Sequence, residues 1–216
     1  MDITTVIINF QTPDLLDRAV RSFKRFYPEI PLIIIDNGSK DLGQSKKLIK
    51  SFVEEFESIG GVFLETNIFH GPAMDLAIKE YVNTKYVFFL DSDTVTKKGG
   101  FLEEMDEFIS SEREIYGMGE IIKANKRGYK SETGKEILLT PYMLINTDLY
   151  SSLRPFIHHG QPTLHNFSDA ASKGFTLKAY KISDYIDHIW RGTADRFGYG
   201  LGFKGKLDYL LNKLGL

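Results

Sequence analysis

Two carboxylates at the end of an apolar segment are the residues of this sequence best suited to chemistry. Residues 86–90 are a run of aromatic and aliphatic side chains, and Asp91-Ser92-Asp93 follows directly. A run this short and this rich in β-formers predicts a strand buried on both faces. Residues i and i+2 of an extended chain project to the same side. Asp91 and Asp93 are therefore predicted to bind one divalent cation that can carry a diphosphate, unless Asp93 caps a following helix.

Composition sets the class of protein. The chain has 216 residues, 42% of them hydrophobic, which is enough for the core of one large α/β domain. The net charge of -2 and the pI near 6.2 disfavour a nucleic-acid-binding protein. The absence of cysteine excludes disulfides and thiolate metal sites and is compatible with a reducing compartment. No signal-peptide pattern and no membrane-spanning apolar run is visible, so we expect a soluble, cytoplasmic protein.

Strands and helices alternate in the first half of the chain. The predicted strands are residues 5–10, 31–35, 61–65 and 86–90, and the intervening helices open at Pro13 and span 43–56 and 72–81. This order implies right-handed crossovers and a parallel sheet. Beyond residue 100, a helix over 101–110 and strands over 116–123 and 138–146 are predicted. We expect one domain over 1–216, with a nucleotide-binding half (about 1–95), an acceptor-binding half (about 96–195) and an amphipathic tail (about 196–216).

Four segments resemble, in the same order, those of glycosyltransferases of the GT-A fold, most closely the large inverting family 2. They are TVIINFQTPDLLDRAVRSF, LIIIDNGSKD, ETNIFHGPAMDLAI and YVFFLDSDT, the last containing the family's Asp-x-Asp motif. The resemblance implies a Rossmann-like, mostly parallel sheet flanked by helices, with a smaller acceptor-side extension. It also implies a metal-dependent transfer of a sugar from a nucleoside diphosphate sugar, most often a UDP-sugar. The acceptor would be a hydroxyl of a glycan or lipid-linked glycan, as in polysaccharide biosynthesis.

The resemblance also assigns the donor site to the carboxyl edge of the sheet. The residues it places against the nucleotide sugar are Asn9, Phe10, Gln11, Asp36, His70, Asp75, Asp91, Ser92 and Arg191. Asp36 would accept a hydrogen bond from the base or ribose, or else form a turn. Phe10 either contacts the base or packs in the core. Arg191 would contact the diphosphate bidentately.

A third metal ligand is implied by the segment YIDHIWRGTADRFG. Many GT-A enzymes supply a histidine from a late strand or loop, and His188 here follows a predicted strand containing Ile182, Tyr185 and Ile186. Two carboxylates, an imidazole and diphosphate oxygens suit Mn²⁺ or Mg²⁺. The alternative is that His188 is structural.

The sequence departs from family 2 at the general base. Lys173-Gly174-Phe175 matches a late element of the family, but the position of the family's basic aspartate is occupied by Thr163. Inverting transfer needs a proton acceptor near the attacking hydroxyl, and Asp169 is the first candidate, followed by the histidines His165, His158 and His159. Asp169 could instead start or cap a helix. Without a base, the protein would be a retaining enzyme or an inactive relative.

Two alternatives to a transferase are a nucleotidyltransferase and a sugar- or nucleotide-binding relative whose catalysis has lapsed. The first shares the scaffold but normally has a Gly-rich basic loop after its first strand, which residues 9–13 lack. Polar residues 129–135 form either an acceptor loop or an ordinary surface loop. The tail places leucines at helical spacing among lysines, so it is either packed on the domain or in peripheral contact with the inner face of a membrane.

Overall fold

The computed structural model of the protein describes residues 1–157, 161–189 and Arg196. Its strands are β1 (Ile3–Asn9), β2 (Leu32–Asp36), β3 (Ile59–Phe63), β4 (Tyr86–Leu90), β5 (Thr94–Thr96), β6 (Ile115–Ala124), β7 (Lys135–Asn146), β8 (Thr176–Ala179) and β9 (Ile186–His188). Its helices are α1 (Pro13–Phe26), α2 (Gln44–Glu55), α3 (His70–Leu76), α4 (Phe101–Ser111), α5 (Thr147–Tyr150) and α6 (Leu164–Ser172). A π-helical segment, Ala77–Tyr81, continues α3.

The central sheet of the described residues has the strand order β3-β2-β1-β4-β7-β6-β8. β1 pairs in parallel with β2 and β4, and β2 with β3, as the alternating strands and helices predict. β7 is antiparallel to β4 and β6, and β8 is parallel to β6. The sheet is therefore mostly parallel, and the carboxyl ends of β1, β2 and β4 meet at one edge.

Helices cover both faces of this sheet, because its central strands are apolar on both sides. Ile7 and Phe88 face a cluster that includes residues of α1, α2 and α4. Their neighbours Val6 and Val87 face a second cluster, which includes residues of α3 and α6. Burial on both faces explains why these strands read as continuous apolar runs and not as alternating patterns.

A second, two-stranded sheet joins distant parts of the chain. β5 pairs antiparallel with β9, and Thr94 lies opposite His188. An ion pair of 2.6 Å between Lys97 Nζ and Asp187 Oδ1 borders the pairing. The predicted strand through Ile182 is wrong in part, since Ile182–Asp184 form a 3₁₀ turn and the strand starts at Ile186.

Some predicted boundaries shift for local reasons. β3 begins at the buried Ile59, two residues before the predicted start. α3 starts at His70 and not at Pro72, because proline is tolerated within the first helical turn. The described part of the chain contains no helix both long and apolar enough to cross a bilayer. The C-terminal tail, apart from Arg196, lies outside the described residues.

Candidate metal and nucleotide site

Asp91, Asp93 and His188 form a cluster at the end of β4, here called the metal cluster. One ligand atom from each of the three lies within 4.8 Å of the others. His188 Nε2 is 3.0 Å from Asp93 Oδ1 and 3.8 Å from Asp91 Oδ2. The structure thus brings together the three residues that the sequence suggests as ligands.

Backbone hydrogen bonds hold these side chains in place. The Asp91 N–H donates to the Pro141 carbonyl at 2.8 Å, which extends the β4–β7 ladder by one residue. The Ile189 N–H donates to the Asp93 carbonyl at 2.8 Å, immediately beyond the β5–β9 pairing. Asp91 and Asp93 thus lie in the short turn between β4 and β5, which is hydrogen-bonded to the neighbouring strands, and His188 is the last residue of β9.

The electrostatics of the metal cluster suit a divalent cation. Burial raises the pKa of the Asp91 carboxyl, the nearby His70 and His188 oppose that rise, and the like charge of Asp93 adds to it. A cation would relieve both the desolvation and the repulsion between the carboxylates. Two carboxylates and one imidazole are a ligand set that suits Mn²⁺ or Mg²⁺, so these residues fit such an ion.

His70 approaches the metal cluster from α3. Its Nε2 lies 3.7 Å from Asp91 Oδ1, whereas His188 lies beside the other oxygen, Oδ2. The residue before it, Phe69, has φ 70° and ψ 165°, a region of backbone space adopted almost exclusively by glycine. A strained backbone therefore immediately precedes the residue that faces the cluster.

A hydrogen-bonded network occupies the carboxyl ends of β1 and β2. Asn9 and Asp36 are opposite one another in the sheet, and Asn9 Nδ2 donates to Asp36 Oδ1 at 3.1 Å and to Ser45 Oγ at 3.0 Å. Ser39 Oγ also donates to Asp36 Oδ1, at 2.5 Å. Asp36 Oδ2 makes no hydrogen bond within the described part of the chain. This buried carboxylate therefore keeps one acceptor oxygen for a ligand.

The remaining donor-site candidates differ in their surroundings. Phe10 and Gln11 follow β1 and are partly exposed, and Ser92 Oγ lies 3.4 Å from Thr12 Oγ1, which links the nucleotide edge to the metal cluster. Asp75 accepts from the Tyr150 hydroxyl at 2.6 Å and from Lys79 Nζ at 2.8 Å. Its contacts join α3 to α5. Arg191 lies outside the described residues.

The sequence profile of glycosyl transferase family 2 matches residues 4–175. The chain belongs to glycosyl transferase family 2. Comparison with curated protein sequences gives no match. The family assignment agrees with the GT-A fold expected from the four sequence segments, and with the mostly parallel sheet and the cluster around its Asp-x-Asp motif.

Solved glycosyltransferase structures share the fold of this family 2 protein. The Pyrobaculum calidifontis mannosyltransferase PcManGT, in complex with GDP-Man and Mn²⁺, is 11% identical with a TM-score of 0.67, over 83% of this chain and 55% of that one. S. aureus TarS 1-349 is 17% identical with a TM-score of 0.63, over 86% and 60%. Glucosyl-3-phosphoglycerate synthase from Mycobacterium tuberculosis, with Mn²⁺, UDP and glucosyl-3-phosphoglycerate, is 14% identical with a TM-score of 0.63, over 99% and 80%. The chain thus spans 55–60% of the length of the first two.

The residue that the sequence resemblance aligns with the family's base carries a buried hydroxyl. Thr163 is 0% exposed, immediately precedes α6, and its Oγ1 has no hydrogen-bond partner within residues 1–157 and 161–189. Asp169 lies inside α6 and does not cap its start, and its Oδ2 accepts from the Arg154 N–H at 3.0 Å. This hydrogen bond, followed by the charge of Lys173, lowers the pKa of Asp169. His165 is exposed on α6, and His158 and His159 lie outside the described residues.

Several polar residues of this family 2 site are not predicted by the sequence. The hydroxyls that hold Asn9 and Asp36 in place come from Thr12, Ser39 and Ser45. Of these, only Ser39 belongs to a sequence signal, the turn that follows β2. The ring of Tyr142 packs edge-on against His188, with centroids 6.2 Å apart. This tyrosine lies opposite Leu90, the last residue of β4. The sequence does not predict that strand register, so it gives no sign of this contact.

Proposed function

We propose that this family 2 protein transfers a sugar, with inversion, from a UDP-sugar to a hydroxyl of a glycan acceptor. The observation that carries the proposal is the metal cluster, placed beside the Asn9–Asp36 network at the same edge of the sheet. A nucleotide bound along this edge has its diphosphate at the carboxylates and its base or ribose at Asp36.

The chain's own residues would divide the binding of the donor between them. Asp91, Asp93 and His188 would hold the cation, and Asp36 Oδ2 would accept from an N–H or hydroxyl of the nucleoside. Mn²⁺ or Mg²⁺, when bound, supplies positive charge that stabilises the leaving diphosphate. The buried Ser92 and Thr12, whose hydroxyls lie 3.4 Å apart, would keep the two parts of the site in register.

The ligands of the structural neighbours support this choice of donor and metal. The mannosyltransferase contains GDP-Man and Mn²⁺, and GalNAc-T7 contains UDP, GalNAc and Mn²⁺. The M. tuberculosis synthase contains Mn²⁺ and UDP, and TarS structures contain UDP or UDP-GlcNAc. UDP recurs among these proteins, which favours a uridine donor for this chain.

Transfer with inversion is a direct displacement. The acceptor oxygen bonds to the anomeric carbon as the bond to the diphosphate oxygen breaks, and the hydroxyl proton passes to a base. A nucleotidyltransferase is less well supported, because residues 9–13 lack the basic glycine-rich loop that such an enzyme uses. A lapsed relative would bind the donor without turning it over.

The proposal is tested by the effect of Asp93→Asn on Mn²⁺-dependent UDP binding, measured by calorimetry. We expect the gain in UDP affinity on adding Mn²⁺ to disappear, because one carboxylate ligand is lost. Asp187→Asn is a matched control, since Asp187 precedes His188 but pairs with Lys97. Unchanged Mn²⁺-dependent affinity in Asp93→Asn would rule out the metal assignment. Hydrolysis of UDP-sugars in Mn²⁺ separates an active enzyme from a lapsed one.

A further inference from the structure

The β6–β7 hairpin extends past the edge of the sheet that carries the metal cluster. The last residue of β4, Leu90, lies opposite Tyr142, so residues 135–141 of β7 run beyond the end of β4. At about 3.3 Å per residue, this extension is roughly 20 Å long. Residues 125–134 connect the two strands at its far end.

The hairpin loop folds against the chain segment in front of α6. A Cβ placed on Gly128 would lie 2.8 Å from the Gln161 nitrogen, so the two backbones are in close contact. A Cβ placed on Gly71 would lie 2.9 Å from Pro162 Cβ. His70, the neighbour of Gly71, reaches the metal cluster. A continuous set of contacts therefore joins the loop to the edge of the sheet that carries the metal cluster.

A pocket of about 640 Å³ lies between this loop and α6. We call it the hairpin pocket; Lys126, Arg127, Lys135 and His165 line it, with Ser168 beside them. Its volume is within the range of about 300–1,000 Å³ that is usual for ligand sites. The described residues that line it include no carboxylate.

The cations of the hairpin pocket are not held in ion pairs within the described part of the chain. None of the side chains of Lys126, Arg127 and Lys135 forms an ion pair with another described residue. The nearest carboxylate along β7, Glu136, approaches Lys123 at 4.0 Å. A guanidinium and two ammonium groups that line one pocket without ion-pair partners attract phosphate or carboxylate.

We propose that the hairpin pocket binds an anionic group, a phosphate or a carboxylate, on the acceptor. This rests on the proposed transferase function, because it assigns the pocket to the acceptor of that reaction. The pocket is separated from the metal cluster by the extended part of β7, so it binds a part of the acceptor remote from the attacking hydroxyl. The acceptor is therefore an anionic glycan longer than one sugar residue.

The test compares glucose 6-phosphate, glucuronate and glucose as probes in nuclear magnetic resonance titrations of the whole protein. Divalent metal is removed by chelation, so that the anions cannot bind through a cation at Asp91 and Asp93. We expect one or both anionic sugars to bind, more weakly at high salt, and glucose not to bind. A response to the phosphate alone or to the carboxylate alone identifies the anion. Equal binding of glucose and both anions would overturn the proposal.

Variants locate the binding. Arg127→Gln and Lys135→Gln should each weaken binding of the anionic sugar about tenfold, the order expected for losing one charge-assisted hydrogen bond. Lys130→Gln is the control, because Lys130 is an exposed cation of the same loop that does not line the pocket. Equal losses in all three variants, or none in the first two, would exclude the hairpin pocket.

A parallel measurement keeps the two proposals separate. Arg127→Gln and Lys135→Gln should retain Mn²⁺-dependent UDP binding, since neither residue belongs to the donor site. Donor binding without any anion selectivity would leave the transferase function standing and refute the acceptor proposal. Absence of Mn²⁺-dependent UDP binding in the unaltered protein would instead refute the transferase function.

Discussion

Asp169 is the residue that the sequence predicts first as the general base of the proposed transfer. Its carboxylate accepts a backbone hydrogen bond from Arg154, and Lys173 Nζ lies 3.6 Å from Oδ2. Both contacts favour the ionised form and lower its pKa. A base with a lowered pKa takes up a proton less readily, so this geometry favours a role in fixing α6 to the preceding loop. The assignment of Asp169 as base stays a prediction from the sequence.

The Asp169→Asn variant separates the two roles. We expect a lower melting temperature at pH 7, because the amide cannot replace the ionic contacts. Turnover should stay near normal, because these contacts give Asp169 a structural role. The lowered pKa makes this contribution present above the ordinary value of 3.8 and lost as the pH falls through the folded-state value. The stability difference between the two proteins should therefore close under acid conditions.

The opposite outcome is equally clear. A fall in turnover of about 10²–10⁴-fold, with loss of the acid limb of the pH–rate profile, would establish Asp169 as the base. Glu107→Gln on α4 is the control, since it removes an exposed carboxylate at a distance from α6. If Asp169→Asn is silent in turnover, His165→Ala tests the remaining described candidate.

Among the elements, the turn into α3 stores backbone strain beside the site. Phe69 adopts φ 70° and ψ 165° although its side chain is 38% exposed. Such a conformation costs about 1–3 kcal/mol for a residue other than glycine. The surrounding structure must therefore stabilise this conformation of Phe69. The next residue, His70, lies beside Asp91.

Substitution of Phe69 measures this strain. Phe69→Gly should be about 1–2 kcal/mol more stable than Phe69→Ala, because glycine removes the strain whereas alanine keeps it. Urea unfolding of the two variants gives the difference directly. Phe108, which is exposed within α4, is the control position. There the alanine variant should be more stable than the glycine variant by about 1 kcal/mol, as is usual in a helix. If Phe69→Ala is also more stable than Phe69→Gly, the turn is not strained.

The elements that the sequence predicts well are those set by local pattern. The apolar run of β4 predicts its bounds, Tyr86–Leu90, because burial on both faces leaves no polar interruption. The short strands β5, β8 and β9 have no such pattern, and their pairing depends on residues far away in the chain. Thr94 and His188 are 94 residues apart, so only the family resemblance linked His188 to Asp93.

At the scale of the whole molecule, the order of the strands explains why one edge carries the site. Parallel crossovers bring the ends of β1, β2 and β4 together, which places Asn9, Asp36 and Asp91 at one edge of the sheet. The antiparallel β7 then crosses that edge and extends beyond it. The pairing of β1 to β4 is thus set by the alternation that the sequence shows, whereas the positions of β6, β7 and β8 follow from long-range pairing.

One buried charge ties this framework together away from the site. Lys24 is 3% exposed at the end of α1. Its Nζ donates to the Ile30 carbonyl at 2.5 Å, to Ser58 Oγ at 2.7 Å and to the Pro28 carbonyl at 3.3 Å. These contacts join α1 to the segments that enter β2 and β3. Burial lowers the pKa of Lys24 to about 8.

This lowered pKa predicts how the stability of the whole molecule varies with pH. Between about pH 8 and the ordinary value of 10.5, the unfolded chain binds more protons at Lys24 than the folded protein does. The free energy of unfolding should therefore rise with pH across this window because of Lys24, and level off above it. Urea unfolding at several pH values should show that rise in the unaltered protein relative to Lys24→Met, in which the group is absent. Lys47→Met is the control, since Lys47 is exposed and should show no such difference. If the free energy of unfolding varies with pH in parallel for the unaltered protein and Lys24→Met, Lys24 keeps its proton in the folded state.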